Sequence, residues 1–188
     1  MLDHRQKKNE KLFSQVGSQA EDFDVPVMTR ATWTKLHAEL EVIERELKTT
    51  IPRTIQKARE LGDLKENAEY HSAKLKQSNA QKQAASLQLR LTRARFVEDA
   101  EYRDGVVGLG TEVVLAAGAE RKSYWILGDG EHHLGENVIS FQAPIGKALF
   151  GRRVGEEVEL TGDADRRWRV EAIARRLPPA NEAATSIP

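Results

Sequence analysis

Two apolar stripes face each other across a glycine in the first half of this 188-residue chain. On the approach, Trp33, Leu36, Leu40, Ile43 and Leu47 are spaced 3, 4, 3 and 4 residues apart. That is the period of a coiled-coil seam. Ile51, Ile55 and Ala58 continue the stripe past Pro52, and a proline inside a helix bends it. The spacing therefore predicts a long helix opened by Thr29 or Thr32 as a Thr cap, with a bend near Thr49–Pro52. On the return, Ala73, Gln77, Ala80, Ala84, Leu87, Leu91 and Ala94 repeat the pattern. Between the stripes lies Gly62-Asp63-Leu64-Lys65-Glu66. A glycine after a periodic run is a helix-stop signal, because it reaches positive φ without a Cβ clash. Asp63 is then the expected N-cap of the second helix, and Glu66 its third residue. The outcome is a helical hairpin with arms of roughly 45 Å at about 30 residues each. Its tip, residues 62–69, carries Asp63, Glu66 and Glu69.

A rod this thin buries only its seam, so the rest of the chain must supply a base. From Tyr102 onward glycines multiply and alternation replaces the heptad. Strands are expected at Thr111–Leu115, Lys122–Leu127, Asn137–Phe141, Glu157–Thr161 and Arg167–Ala174. A short helix is expected between Pro144 and Gly151. Trp125 and Trp168 belong to the core or faces of this sheet, and His132-His133 reads as a loop. The fold class is α+β: an antiparallel coiled-coil hairpin over 29–99 and an antiparallel sheet domain over 102–177. Residues 1–28 read as a flexible extension with one short helix near Asn9–Gln15, or as the remnant of a longer chain. Residues 178–188 read as a disordered tail.

Composition narrows the class of function. The chain has no cysteine, which excludes disulfides and thiolate metal sites and suggests a reducing, cytoplasmic setting. No apolar run is long enough for a membrane span, and no membrane partner is expected. Net charge is zero but unevenly placed. Thr29–Glu98 holds 14 Lys/Arg against 9 Asp/Glu, whereas Asp99–Pro188 holds 11 against 15. A basic rod with an acidic tip suggests a polyanionic partner.

Two segments resemble one family. ARELGDLKENAEYHSAK, residues 58–74, is similar to the coiled-coil tip of the bacterial Gre transcript cleavage and elongation factors, closer to its GreA branch. ENVISFQAPIGKALFGRRVGEEVEL, residues 136–160, resembles the signature of that family's C-terminal domain. One departure is Ala143, where the family usually has a serine that caps the short helix. The resemblance implies an FKBP-like C-terminal domain that docks on bacterial RNA polymerase while the hairpin occupies the secondary channel. It implies no independent catalysis. Asp63 and Glu66 would act within the polymerase's active site, sharing Mg²⁺ with it, on the 3′ end of nascent RNA in backtracked complexes. A monomer is expected.

Each of these residues also has a plain reading. Asp63 and Glu66 form a capping box, yet a cap uses one carboxylate oxygen and leaves the other outward, ionised by the helix dipole. Mg²⁺ takes one or two carboxylates and fills its other positions with water or phosphate oxygens, so Asp63 and Glu66, with Glu69 as a possible third, suit a jointly held ion. Arg53, Lys57 and Arg59 on the first arm and Lys74 and Lys76 on the second are either a solvated face or contacts to RNA and the channel wall. Tyr70 either packs on the seam or touches RNA, and His71 reads as a solvated residue. Two other functions compete: a channel occluder of the same shape without cleavage, and a peptidyl-prolyl isomerase suggested by the C-terminal fold alone.

Overall fold

The computed structural model describes residues 25–60, 62, 67–160 and 163–179. The short helix expected near Asn9–Gln15 and the tail beyond Pro179 lie outside the described residues.

The hairpin is built from three helices, α1 (Arg30–Lys48), α2 (Thr50–Glu60) and α3 (Ala68–Thr92). Its seam is the one the heptads mark. Leu40, Ile51, Ile55, Ala58, Ala73 and Leu91 are buried. Trp33, Leu36, Ile43, Leu47, Gln77, Ala80, Ala84, Leu87 and Ala94 are half-buried. The bend expected near Pro52 is present as a one-residue break. Thr49 leaves the helical region at φ −123° and ψ −69°, and α2 resumes at Thr50. Proline has no N–H to donate to the carbonyl four residues back, and its ring crowds that carbonyl. Placing Pro52 in the first turn of a new helix avoids both penalties.

Thr29 caps α1, its hydroxyl accepting from the Thr32 N–H at 3.2 Å. Two carboxylates distant in sequence satisfy further N–H groups there. Glu131 Oε1 accepts from Thr29 N at 2.6 Å, and Glu98 Oε1 accepts from Arg30 N at 2.9 Å. Glu131 is 1% exposed. The N-terminal end of α1 is thus held by hydrogen bonds to two carboxyl groups, Glu131 from the connection after β4 and Glu98 from the turn after β2.

Part of the segment expected to be a flexible extension is integral to the fold. Val27–Met28 form strand β1, parallel to β2 (Arg95–Phe96), with Val27 opposite Arg95 and Met28 opposite Phe96. Met28 is fully buried. Backbone pairing to the returning arm and burial of one large side chain hold these residues where composition alone suggested a tail.

The base is a five-stranded sheet made of β3 (Thr111–Ala117), β4 (Glu120–Leu127), β5 (Val138–Ser140), β6 (Glu157–Leu160) and β7 (Asp163–Arg175). The strand order is β5-β4-β3-β7-β6. The first hairpin closes through Gly118-Ala119, with Ala117 opposite Glu120. The sheet is mixed, not purely antiparallel as expected, because β5 runs parallel to β4. Residues 128–137 form a connection, folded by a 3₁₀ turn at His132–Leu134, long enough to bring Val138 back beside Trp125. Helix α4 (Pro144–Leu149) starts from Ala143 with no side-chain cap, as the missing serine implied. Trp168, Leu115, Val113, Ile126, Leu149 and Val170 form the core of the base. A second cluster of Val97, Leu127 and Val138, with Val27 and Trp125 against it, joins the base to β1 and to the turn that follows β2.

Candidate functional site

The tip is organised by two residues on either side of the connection between α2 and α3. Gly62 has φ +79°, the left-handed conformation that ends a helix, and its N–H donates to Arg59 O at 3.3 Å. Asn67 then starts α3. Its Oδ1 accepts from Tyr70 N at 3.0 Å, while its Nδ2 donates to Ala58 O at 2.6 Å. This corrects the expectation that Asp63 caps the second helix. A carboxylate can only accept, whereas the last carbonyls of α2 require a donor and the first N–H groups of α3 an acceptor. The Asn67 carboxamide supplies both, so α3 begins four residues later than expected.

Asp63 and Glu66 lie outside the described residues, in the stretch bracketed by Gly62 and Asn67. Glu69 falls in the first turn of α3 and is exposed. Among the described residues no three His, Asp or Glu side chains come together in a way that could hold a metal ion.

The basic candidates divide by environment. Arg53 and Lys57 are exposed on α2. Arg59 places its guanidinium 5.7 Å from the Tyr70 ring centroid, a cation–π distance. Lys74 Nζ donates to Gln77 Oε1 at 2.8 Å, and Lys76 bridges the two arms to Glu46 at 3.4 Å. Pro52, Ile55, Gln56, Arg59, Lys74 and Gln77 line an open groove of about 360 Å³ between the arms. Tyr70 is half-buried and packs with Ile51, Ile55 and Ala73, which favours the seam reading over contact with RNA. His71 is exposed, 5.8 Å centroid to centroid from Tyr70.

His132 and His133, read as a loop, form the 3₁₀ turn beside the buried Glu131. His133 Nε2 lies 3.4 Å from Thr32 Oγ1 on α1. Sequence reasoning passed over Asn67 and Glu131. Asn67 had a usable signal, being a preferred cap residue at the head of the return arm. Glu131 had none, because its partner Thr29 lies 102 residues away.

Comparison with known proteins agrees along both modules. The family model described as "Transcription elongation factor, N-terminal" matches residues 26–96, and "Transcription elongation factor, GreA/GreB, C-term" matches 102–175. The chain is 41% identical to the transcription elongation factor GreA of Nautilia profundicola over 71% of its own length and 83% of that protein's. It is 39% identical to GreA of Neorickettsia sennetsu over 71% and 85%. It is also similar to the crystal structure of the GreA factor homolog 1 protein of Thermus thermophilus, at 29% identity over 79% of this chain and 98% of that one. The TM-score there is 0.36, too low to bear on the fold. Among the described residues no helix is long and apolar enough to cross a membrane. The chain belongs to the GreA/GreB family of transcription elongation factors.

Proposed function

We propose that this protein acts as a monomer that binds bacterial RNA polymerase and inserts its helical hairpin into the secondary channel. There it stimulates hydrolytic cleavage of the 3′ end of backtracked nascent RNA, releasing arrested complexes. The observation that carries the reading is the construction of the tip. Two helices are closed by Gly62 and Asn67 around a short connection containing Asp63 and Glu66, with Glu69 exposed beside it. Acids at the end of a rod seated on a separate base suit chemistry in another protein's site. Two or three carboxylates cannot complete the coordination of a divalent ion, and the polymerase would supply the remaining ligands. Asp63 and Glu66 would hold an Mg²⁺ jointly with it, with Glu69 as an auxiliary ligand. The ion would supply charge stabilisation and an activated water for phosphodiester hydrolysis. The chain's own task is to deliver the carboxylates, ionised, at a fixed point. Arg53, Lys57 and Arg59 would steer the rod through phosphate or carboxylate contacts, with Lys74 on the opposite wall of the groove.

The test is cleavage by a stalled, backtracked cognate polymerase, with wild type beside Asp63→Asn and Glu66→Gln. Both amides leave the hairpin folded and binding near normal. Stimulated cleavage should fall by about a hundredfold or more, as loss of a charge stabiliser does. Substantial cleavage by either variant at saturating protein and Mg²⁺ would remove the metal-ligand role.

The break at Thr49 favours a second reading, in which a bent rod occludes the channel without promoting cleavage. The seam nevertheless continues through the break, with Leu47, Ile51, Ile55 and Ala73 in one cluster. The same assay separates the two readings, because an occluder slows elongation in wild-type form and yields no cleavage product.

A further inference from the structure

The connection after β4 touches both arms of the rod. Among the described residues the Glu131 side chain accepts hydrogen bonds from Thr29 alone, from N at 2.6 Å and from Oγ1 at 3.3 Å. Two residues on, His133 Nε2 lies 3.4 Å from Thr32 Oγ1 in the first turn of α1, while its Nδ1 lies 3.2 Å from Gly130 O. On the return arm, Arg90 in the last turn of α3 donates from Nη2 to Asp129 O at 3.2 Å. Residues 129–133 therefore grip the first turn of one arm and the last turn of the other. The start of α1 has a second hold. Glu98 Oε1 accepts from Arg30 N at 2.9 Å, and Arg175 at the end of β7 donates to Glu98 O at 2.7 Å and to Ala100 O at 3.1 Å.

These holds are unequal. The Arg90 bond and the Arg30–Asp99 pair are exposed, and exposed pairs fix geometry weakly. Thr29, Thr32 and Glu131 are all buried, where no water competes for the bond. Stability alone does not call for an acid there, since a well-packed apolar side chain often serves a buried site as well. Direction does call for one, because a hydrogen bond has a set length and angle and apolar packing has neither. The rod magnifies any looseness at its foot: over roughly 45 Å, a tilt of about 10° carries the far end through about 8 Å. We propose that Glu131 is the positioning residue of the joint: its carboxyl, supplied by the base, fixes the direction in which the rod leaves it. For cleavage this rests on the function proposed above, whereas the direction of the rod can be measured without polymerase.

The experiment compares Glu131→Ala, Glu131→Asp and Glu131→Gln with the unaltered residue in the full chain. Because the chain has no cysteine, Lys82→Cys on α3 and Lys147→Cys on α4, both exposed, accept spin labels at those two sites alone. Pulsed electron resonance then reads the distribution of distances between rod and base, with circular dichroism and urea unfolding as folding controls. Alanine removes the acceptor and aspartate withdraws it by a methylene, so the distribution should widen by about twofold or more, given the leverage of the rod. Glutamine keeps an oxygen at the same reach and should restore the original width. Should the alanine variant fail to fold, the aspartate variant decides alone. In cleavage by a backtracked cognate polymerase, without labels, the maximal rate of the widened variants should fall by on the order of tenfold, as misplacement of reacting groups does. The half-saturating concentration should stay within about twofold, whereas a merely structural loss would move both together. An unchanged width in the folded variants, equal widening in all three, or a full maximal rate despite widening overturns the proposal. If the unaltered protein stimulates no cleavage, the function proposed above fails, and the distances still decide whether Glu131 sets the direction of the rod.

Discussion

Replacing Gly128 by alanine would place a methyl carbon 1.7 Å from the carbonyl oxygen of Val27 and 2.5 Å from its carbonyl carbon. Neither atom can yield, because Val27 is tied into the parallel pair with Arg95 and Met28 beside it is fully buried. Gly128→Ala should therefore cost about 2–3 kcal/mol, as forced overpacking does, or expel β1 from its place. A urea titration followed by tryptophan fluorescence reads the first outcome, and proteolysis after residue 28 the second. Unchanged stability would mean that the junction is looser than the packing of Val27 on Gly128 implies. Glu131 makes a related point about single residues. It is a buried acid whose Oε1 serves Thr29 while its Oε2 has no partner among the described residues, a cost borne at the joint between base and rod.

For the elements, the basic face of α2 is where a solvated surface and a binding surface make opposite predictions. If Arg53, Lys57 and Arg59 only solvate the helix, changing all three to alanine alters little. If they steer the rod into an anionic channel, the half-saturating concentration for cleavage rises several-fold at low salt. The gap then narrows as ionic strength increases, since screening shortens to ~10 Å near 0.1 M. Maximal rate should change far less, because the tip acids are untouched; equal half-saturation at low salt would return these residues to the solvent. The helices of the hairpin and the strands of the base were legible in the sequence through their residue patterns: the 3, 4, 3, 4 spacing marks the seam, and Thr29 is the cap. What was not legible depends on partners far away or on choices between similar residues. β1 and β2 are two residues each and carry no period at all. The parallel placement of β5 depends on how residues 128–137 fold, not on the strand's own pattern. At the tip, Asp63 and Asn67 are both good caps, and only the unmet carbonyl of Ala58 selects Asn67.

In the whole molecule, the core of the base is self-contained: Trp168 and the residues buried around it run from Val107 to Val170. A fragment covering residues 102–179 should fold alone, with stability on the order of 5 kcal/mol for a domain of that size. It should compete with the intact protein for polymerase without causing cleavage, which competition binding and cooperative urea unfolding would measure. An unfolded fragment, or one that fails to compete at high concentration, would put the binding in the hairpin. The parallel pairing of Val27–Met28 with Arg95–Phe96 has one more consequence. The chain enters and leaves the rod through adjoining backbone, so nothing at the base registers how many residues lie between. Seven residues added to each arm would carry the tip about 10 Å further out without altering a contact at the joint. The rod is in this sense a gauge, its length free to be set by the depth it must reach and by nothing in its own foundation.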